Sequence, residues 1–186
     1  MIGARGPPHG NLIFVDAPVP KENLIVGEGH FARLMRSFNV ERLHNSALSV
    51  GLGQGAFDLA VDYVTARKQF GRPVVEFQSV YHTLAEAWIK LEAARGLVYR
   101  AAESAVDGRF PQAVPISVAK VAANNWAREV IWDAMQLHGG DGVTRDYLVE
   151  LSYRDILAAS YGGGTAAANK NAIAAGVLGR RFSQRS

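Results

Sequence analysis

Apolar residues recur at helical spacing along most of this chain, from Gly29 onward. Positions three or four residues apart share one face of an α-helix, so this period predicts helices rather than strands. Alanine-rich stretches in the later helices would let neighbouring backbones approach closely, as in a bundle. The pattern therefore predicts a mainly α fold, an antiparallel four-helix-type bundle. The predicted helices cover approximately Phe31–Arg67, Val75–Val106, Ile116–Leu137, Tyr147–Ser160 and, behind an N-cap at Thr165, the residues up to Leu178.

The first 28 residues have a different pattern. Residues 11–15 (NLIFV) and 23–26 (NLIV) are short β-type runs bounded by proline, glycine and charged residues. Two short strands do not form a stable sheet by themselves, because an isolated hairpin is marginal in water. We therefore predict a short β segment at the N-terminus. Residues 1–28 would be the remnant of a β-domain with its linker, and residues 29–186 the helical domain.

One carboxylate interrupts the apolar face of the first predicted helix. Glu41 falls on the same face as Leu34, Phe38, Leu48 and Leu52. A carboxylate at a helix interface is costly unless a partner compensates it. Two interpretations follow: Glu41 forms a structural ion pair with Arg42, or it is a general base in a mostly apolar pocket.

Two glycine-rich segments interrupt the helices. Residues 160–165 (SYGGGT) form either a plain turn or a loop whose free amides hold a phosphate or a polarised carbonyl oxygen. In residues 136–142 (QLHGGDG), a helix stop explains Gly139, whereas Gly140 and Gly142 also suit close approach to a ligand. Arg67, at the end of the first helix, is either a solvated cation or a phosphate contact.

Composition excludes several classes of protein. The net charge of +3 comes without a dense basic patch, so nucleic acid is not an expected partner. The chain has no cysteine, and its histidines lack metal-ligand spacing, so we expect no metal site. No apolar stretch approaches the ~20 residues that span a bilayer. Without the apolar core of a signal peptide, the expected compartment is the cytoplasm or, in a eukaryote, the mitochondrial matrix.

Five segments, in this order, resemble the C-terminal part of the acyl-CoA dehydrogenases: VPKENLIVGEG, FNVERL, ARKQFGRPVVEFQSV, QLHGGDGVTRDYLVELSYRD and GGGT with the later GVLGR. They span nearly the whole chain. The resemblance implies a flavoprotein in which FAD lies between a middle β-domain and this helical domain and also touches a neighbouring subunit. It implies a homo-oligomer, a dimer or tetramer, with electron-transfer flavoprotein as the electron acceptor.

The resemblance also implies which residues contact FAD. Arg67 and Phe70 match contacts to the FAD of the adjacent subunit, and Gln78 matches a further contact. Thr165 matches a threonine that touches FAD, but Ala167 replaces the glutamine or glutamate that often follows it. The segment expected at the adenosine part of the adjacent FAD consists of Gln136, Leu137, His138, Gly139 and Gly140.

The same resemblance assigns the catalytic base. Many family members carry a glutamate in the loop that corresponds to residues 160–165, but Gly163 stands at that position here. Members similar to isovaleryl-CoA and long-chain acyl-CoA dehydrogenases instead carry it on the first helix, where this chain has Glu41. The implied reaction is α,β-dehydrogenation of an acyl-CoA thioester, with Glu41 removing the α-proton. The implied substrate contacts are Asn39, Val40, Arg42, Gly162, Gly163 and Gly164.

Two alternatives remain open at this point. The chain could be a non-catalytic helical oligomerisation fragment that does not hold FAD by itself. Within the enzyme class, it could belong to a relative that reacts with oxygen directly.

Overall fold

In the part of the chain that the structure describes, the fold consists of five helices and one short hairpin. The structure, a computed structural model, describes residues 1–6, 9–106, 110–180 and 182. The mainly α fold class is confirmed. The elements are α1 (Phe31–Ala66), β1 (Lys68–Gln69), β2 (Arg72–Pro73), α2 (Gln78–Glu103), α3 (Ala113–His138), α4 (Val149–Ala159) and α5 (Ala166–Val177), with 3₁₀ turns at Lys21–Asn23, Val74–Glu76 and Gly139–Val143.

The short β-structure lies between α1 and α2. Arg67 has an extended backbone and ends α1, and β1 pairs antiparallel with β2 through Lys68 opposite Pro73. Phe70 and Gly71 make the turn with positive φ angles of 52° and 82°. Within the described part of the N-terminal stretch, residues 11–15 form no strand. The predicted β segment at the N-terminus is therefore wrong for the described residues, in which the one strand pair is β1 with β2.

Helix α3 is the centre of the bundle, because it packs against each of the other four helices. Its small residues allow this close approach: Ala119, Ala123 and Ala127 are fully buried. Helices α1 and α2 run antiparallel, since Gln54 contacts Arg95 whereas Phe57, later in α1, contacts Trp88, which is earlier in α2. The three long helices thus form one bundle, with α4 and α5 against one side of it.

The predicted inward face of α1 is wrong at Leu34, Phe38 and Leu48, which are 39%, 40% and 46% exposed, and Glu41 is exposed as well. Leu52 is half-buried and packs against the core, as predicted. Small side chains on the other side of α1 pack instead, because they let α3 approach more closely than leucine or phenylalanine would. The buried residues of α1 are Asn39, Asn45, Ser46, Ser49, Val50, Gly53, Ala56, Ala60 and Val64.

No helix within the described ranges is long and apolar enough to cross a membrane.

The closest packing between helices gives a stability prediction. A β-carbon on Gly53 would lie 2.9 Å from Leu91 Cδ2 and 3.3 Å from Ala127 Cβ. Overpacking a core costs about 1–3 kcal/mol, so Gly53→Val should lower the free energy of unfolding in urea by that amount. Gly55→Ala is the matched control, because nothing lies within 4 Å of its added β-carbon. This control should raise stability by about 0.5–1 kcal/mol. Equal effects of the two changes would contradict the packing.

Candidate functional site

The glycine-rich loop of residues 160–164 joins α4 to α5 and has a backbone that only glycine adopts easily. Gly163 and Gly164 have φ angles of 68° and 95°, in the left-handed region. Thr165 then caps α5, and its Oγ1 accepts a hydrogen bond of 3.2 Å from the Ala168 amide. The predicted N-cap is therefore confirmed. The loop is a defined turn and not a simple spacer.

Side chains from two helices hold the second half of this loop. From α1, Arg42 Nε donates a 2.8 Å hydrogen bond to the carbonyl oxygen of Gly163. From α5, Asn169 Nδ2 donates to the carbonyl oxygens of Gly164 and Thr165, at 2.9 and 3.0 Å. The hydrogen bonds to these three carbonyl groups and the helix cap together fix the path of the loop.

Arg42 is held in turn by Asn39. Arg42 Nη1 donates a 2.7 Å hydrogen bond to Asn39 Oδ1, and Asn39 Nδ2 donates to the Pro111 carbonyl oxygen at 2.8 Å. Burial lowers the pKa of Arg42, and the neighbouring Glu41 carboxylate partly opposes that shift. Asn39 is only 5% exposed. Two of the predicted substrate contacts, Asn39 and Arg42, are therefore engaged with the chain itself, whereas Val40 is 45% exposed.

The Glu41 carboxylate lies against the glycine loop. A β-carbon on Gly162 would be 3.5 Å from Glu41 Oε1, and one on Gly163 would be 3.3 Å from Glu41 Oε2. The carboxylate therefore occupies the place that a side chain of the loop would take. Among the described residues Glu41 forms no ion pair. The alternative of a structural pair with Arg42 is not realised, because the guanidinium group is turned to Gly163 and Asn39.

A cavity of about 460 Å³ opens beside this carboxylate. Apolar side chains of α1, Leu48 and Leu52, line it together with Glu41 and Gly162. The N-terminal segment closes one side, because the Ala4 amide donates a 2.7 Å hydrogen bond to Asp155 Oδ1. The remaining lining residues are Met1, Ala4, His9, His44, Asn45, Asp155, Ala158 and Ala159. The space can hold a small acyl group next to the Glu41 carboxylate.

A buried lysine, which the sequence analysis missed, lies behind the loop. Lys120 of α3 is 2% exposed, and its Nζ donates to Asn124 Oδ1 and, at 3.2 Å, to the Ala159 carbonyl oxygen. Burial lowers the pKa of Lys120 to about 8; the Glu41 charge raises it and the Arg42 charge lowers it further. The sequence signal was a single lysine in an apolar, alanine-rich run with an asparagine four residues later.

The predicted cofactor residues fall into two separate groups. Arg67 and residues 136–140 line one cavity of about 330 Å³, at the end of α3. Thr165 lines a different cavity of about 240 Å³, together with Lys120 and Arg128. Phe70 is 91% exposed on the hairpin turn, and Gln78 is exposed at the start of α2; neither lines either cavity.

Aromatic stacking shapes the cavity at the end of α3. His138 is 3% exposed and stacks on Tyr63 at a ring distance of 4.4 Å, and Tyr147 meets both rings edge-on, at 5.5 Å from His138 and 5.7 Å from Tyr63. Tyr63 Oη donates a 2.7 Å hydrogen bond to Asp141 Oδ2, and this bond is the main cause that raises the pKa of Tyr63. His138 is therefore a structural support of the cavity, not an open ligand.

This cavity offers a cation and open backbone, two features suited to a nucleotide phosphate. Arg67 supplies the cation, although the Asp141 carboxylate also lines the cavity, and Gly139, at φ 60°, ends α3. Nothing lies within 4 Å of a β-carbon added to Gly139 or Gly140, so the backbone is open to a ligand there. These residues can thus hold part of a dinucleotide.

The sequence matches the family described as "Acyl-CoA dehydrogenase, C-terminal domain" over residues 28–178. The chain belongs to this family. A 3-sulfinopropanoyl-CoA desulfinase of Paraburkholderia xenovorans is 39% identical over 99% of this chain and 48% of the relative. A caffeyl-CoA reductase–Etf complex subunit of Acetobacterium woodii is 39% identical over 83% of the chain and 41% of the relative. The chain spans about half the length of the curated relatives it matches.

Solved structures show the same fold. Butyryl-CoA dehydrogenase of Megasphaera elsdenii matches with a TM-score of 0.85 and 34% identity, covering 89% of this chain and 43% of that one. A glutaryl-CoA dehydrogenase of Mycobacterium smegmatis, solved with FADH2, shares the fold at a TM-score of 0.72 and 19% identity, over 77% of this chain and 37% of that one. These relatives do not support the predicted isovaleryl-CoA or long-chain subset.

Lys120 gives a pH prediction that isolates one group. Its pKa is about 8 in the folded chain, below its ordinary value of 10.5. The unfolded state therefore binds more protons between these two values, so the folded state gains stability as the pH rises. Between pH 8 and pH 10 the wild type should gain about 2 kcal/mol relative to Lys120→Met. Urea unfolding of both proteins at the two pH values measures this difference. Parallel pH profiles would show that the folded protein does not lower the pKa of Lys120.

Proposed function

We propose that this chain provides the catalytic base and part of the cofactor site of an FAD-dependent enzyme that dehydrogenates an acyl-CoA thioester between its α- and β-carbons. Family membership supports the reaction class. The single observation that carries the assignment of the base is the position of the Glu41 carboxylate, within 3.3–3.5 Å of the β-carbons that Gly162 and Gly163 lack. A carboxylate on α1 thereby fills the space that a loop residue leaves open.

In this proposal, different residues of the chain have different roles at the acyl group. Glu41 removes the α-proton, as a general base placed beside the substrate must do. The Gly163 amide donates a hydrogen bond to the thioester oxygen, which stabilises the negative charge that develops there. Arg42 keeps that loop in place through the Gly163 carbonyl group. FAD, when bound, supplies the acceptor for the hydrogen that leaves the β-carbon with its electron pair.

The substrate we propose is a short acyl-CoA thioester. Two of the named relatives carry short acyl groups in their names, 3-sulfinopropanoyl and butyryl. The cavity of about 460 Å³ beside Glu41 is bounded by the N-terminal segment and has polar residues, His44 and Asp155, on its walls. A long unbranched acyl group would extend beyond this cavity.

The two groups of cofactor residues suggest how FAD is shared. Arg67, Phe70 and residues 136–140 would contact the FAD of an adjacent subunit, with Gln78 nearby, and Thr165 would contact the FAD of its own subunit. Arg67 and Thr165 line two separate cavities, and this separation supports the proposed division. The protein would then be a homo-oligomer, a dimer or tetramer, in which each cofactor site needs two subunits.

The exposed apolar face of α1 supports the proposal that a neighbouring domain packs against it. Phe31, Leu34, Phe38 and Leu48 are all at least 39% exposed, on the side of α1 that carries Glu41. Exposed apolar patches of this kind mark interaction surfaces. We propose that a β-domain covers this face. Residues 1–28 would be its remnant and linker, and residues 29–186 the helical domain that follows in the chain.

We further propose electron-transfer flavoprotein as the electron acceptor, in the cytoplasm or, in a eukaryote, the mitochondrial matrix. The relative named as part of an Etf complex supports the choice of acceptor.

The alternative of a non-catalytic oligomerisation fragment is tested by titrating the 186-residue chain with FAD. If it binds no flavin while the full-length protein does, the cofactor site needs the remainder of the protein.

Substitution of the proposed base gives the main prediction. Glu41→Gln in the full-length protein should keep the FAD content and lower turnover of a short acyl-CoA by about 10²–10⁴-fold, since an amide cannot accept the α-proton. Asp58→Asn is the matched control. It alters another carboxylate of α1, which lies outside this cavity and accepts a 2.8 Å hydrogen bond from Gln54 Nε2. Turnover should change less than tenfold in this control. Full turnover by Glu41→Gln would exclude Glu41 as the base.

A further inference from the structure

Lys120 is a buried cation in a position where an apolar side chain would fit at lower cost. It is 2% exposed on α3, between the fully buried Ala119 and Ala123. Removing an ammonium group from water costs several kcal/mol unless its hydrogen bonds are replaced. Apolar residues of similar volume often stabilise such positions. The presence of lysine here therefore points to a role beyond packing.

The contacts of Lys120 are directed at the start of the glycine loop. Its Nζ donates a 3.2 Å hydrogen bond to the carbonyl oxygen of Ala159, the last residue of α4. A cation at a helix C-terminus also interacts favourably with the carbonyl groups that have no partner within the helix. Ser160, the first loop residue, follows directly, so Lys120 fixes the point where the loop leaves α4.

The same lysine is connected to the middle of the loop through α1. Asn124 accepts a hydrogen bond from Lys120 and donates through Nδ2 to Asn45 Oδ1 at 3.3 Å, and also to Ser49 Oγ. Asn45 Nδ2 lies 2.8 Å from the position of a β-carbon on Gly162. These hydrogen bonds join α3 to α1 in the interior of the bundle, and the Asn45 side chain packs against Gly162 of the loop. Lys120 is thereby connected both to the end of α4, at Ala159, and to the residue that packs on Gly162.

We propose that Lys120 is a positioning residue, which holds the glycine loop against α1 so that Gly162 and Gly163 lie at the Glu41 carboxylate. The catalytic consequence rests on the proposed function above. Glu41 and Arg42, both on α1, are the charged groups that act on the lysine. Lys120 does not touch the substrate in this proposal. It acts through the Ala159 carbonyl group and through Asn124.

Two variants of the full-length, FAD-bound protein test this role. Lys120→Met removes the charge and both hydrogen bonds at nearly equal volume. Lys120→Gln keeps an N–H donor without the charge, and serves if the methionine variant does not fold. The matched control is Lys90→Met, which removes a half-buried lysine that pairs with Glu129 at 3.0 Å elsewhere in the bundle. The first measurement is amide hydrogen exchange, by mass spectrometry, of a peptide that covers residues 157–165.

We expect exchange in this peptide to be at least about 10-fold faster in Lys120→Met than in the wild type and in Lys90→Met, because the loop loses its attachment to α3. The second measurement is steady-state kinetics with a short acyl-CoA. We expect kcat to fall by about 10- to 100-fold with little change in KM, because a displacement near 1 Å costs a rate of this order. Lys120→Gln should lie between the wild type and Lys120→Met.

Each contrary result overturns a defined part of the inference. Unchanged loop exchange in Lys120→Met would show that Lys120 does not position the loop. Faster exchange with unchanged kcat would show that loop position does not limit the reaction. A wild-type protein without any acyl-CoA activity would refute the proposed function instead, and the exchange result would still decide whether Lys120 holds the loop.

Discussion

The hydrogen bond from Arg42 Nε to the Gly163 carbonyl oxygen is the contact on which the site depends. It joins the middle of α1 to a loop that follows α4, more than a hundred residues later in the chain. Because Glu41 is the neighbour of Arg42, the same contact sets the distance between the carboxylate and the loop. The left-handed backbone at Gly163 and Gly164 is tolerated only because these residues have no side chain. The proposed base on the helix and the glycine on the loop are thus two parts of one arrangement.

Polar groups in the bundle interior support this arrangement at a cost in stability. Lys120, Asn124 and Asn45 form a hydrogen-bonded chain where most residues are alanine, and Asn169 holds the loop from α5. A buried network of this kind rigidifies its surroundings when its members are paired. Small residues on α1 and α3 make the network possible, since they bring the backbones close enough for short polar side chains to reach each other.

The sequence predicted the helices well, because their apolar period and their glycine and proline boundaries are local features. Thr165 as an N-cap is such a case. It did not predict which face of α1 is buried: Leu34 and Phe38 suggested the core, but the small side chains of Ser46, Ser49 and Gly53 decide the packing with α3. Lys120 was also missed, because a single lysine in a helix is normally a surface residue. Glu41 was singled out as a candidate by its apolar neighbours and by the resemblance. Its distance from the loop could not be predicted, because it depends on how α1 packs against a loop that is distant in sequence.

A crystal structure of the full-length protein with FAD and a non-reacting short acyl-CoA tests the role of Glu41 most directly. We predict a Glu41 carboxylate oxygen about 3–3.5 Å from the α-carbon, a distance suited to proton removal. We also predict a hydrogen bond from the Gly163 amide to the thioester oxygen. A structure in which Glu41 turns away from the acyl group, for example to pair with Arg42, would contradict it.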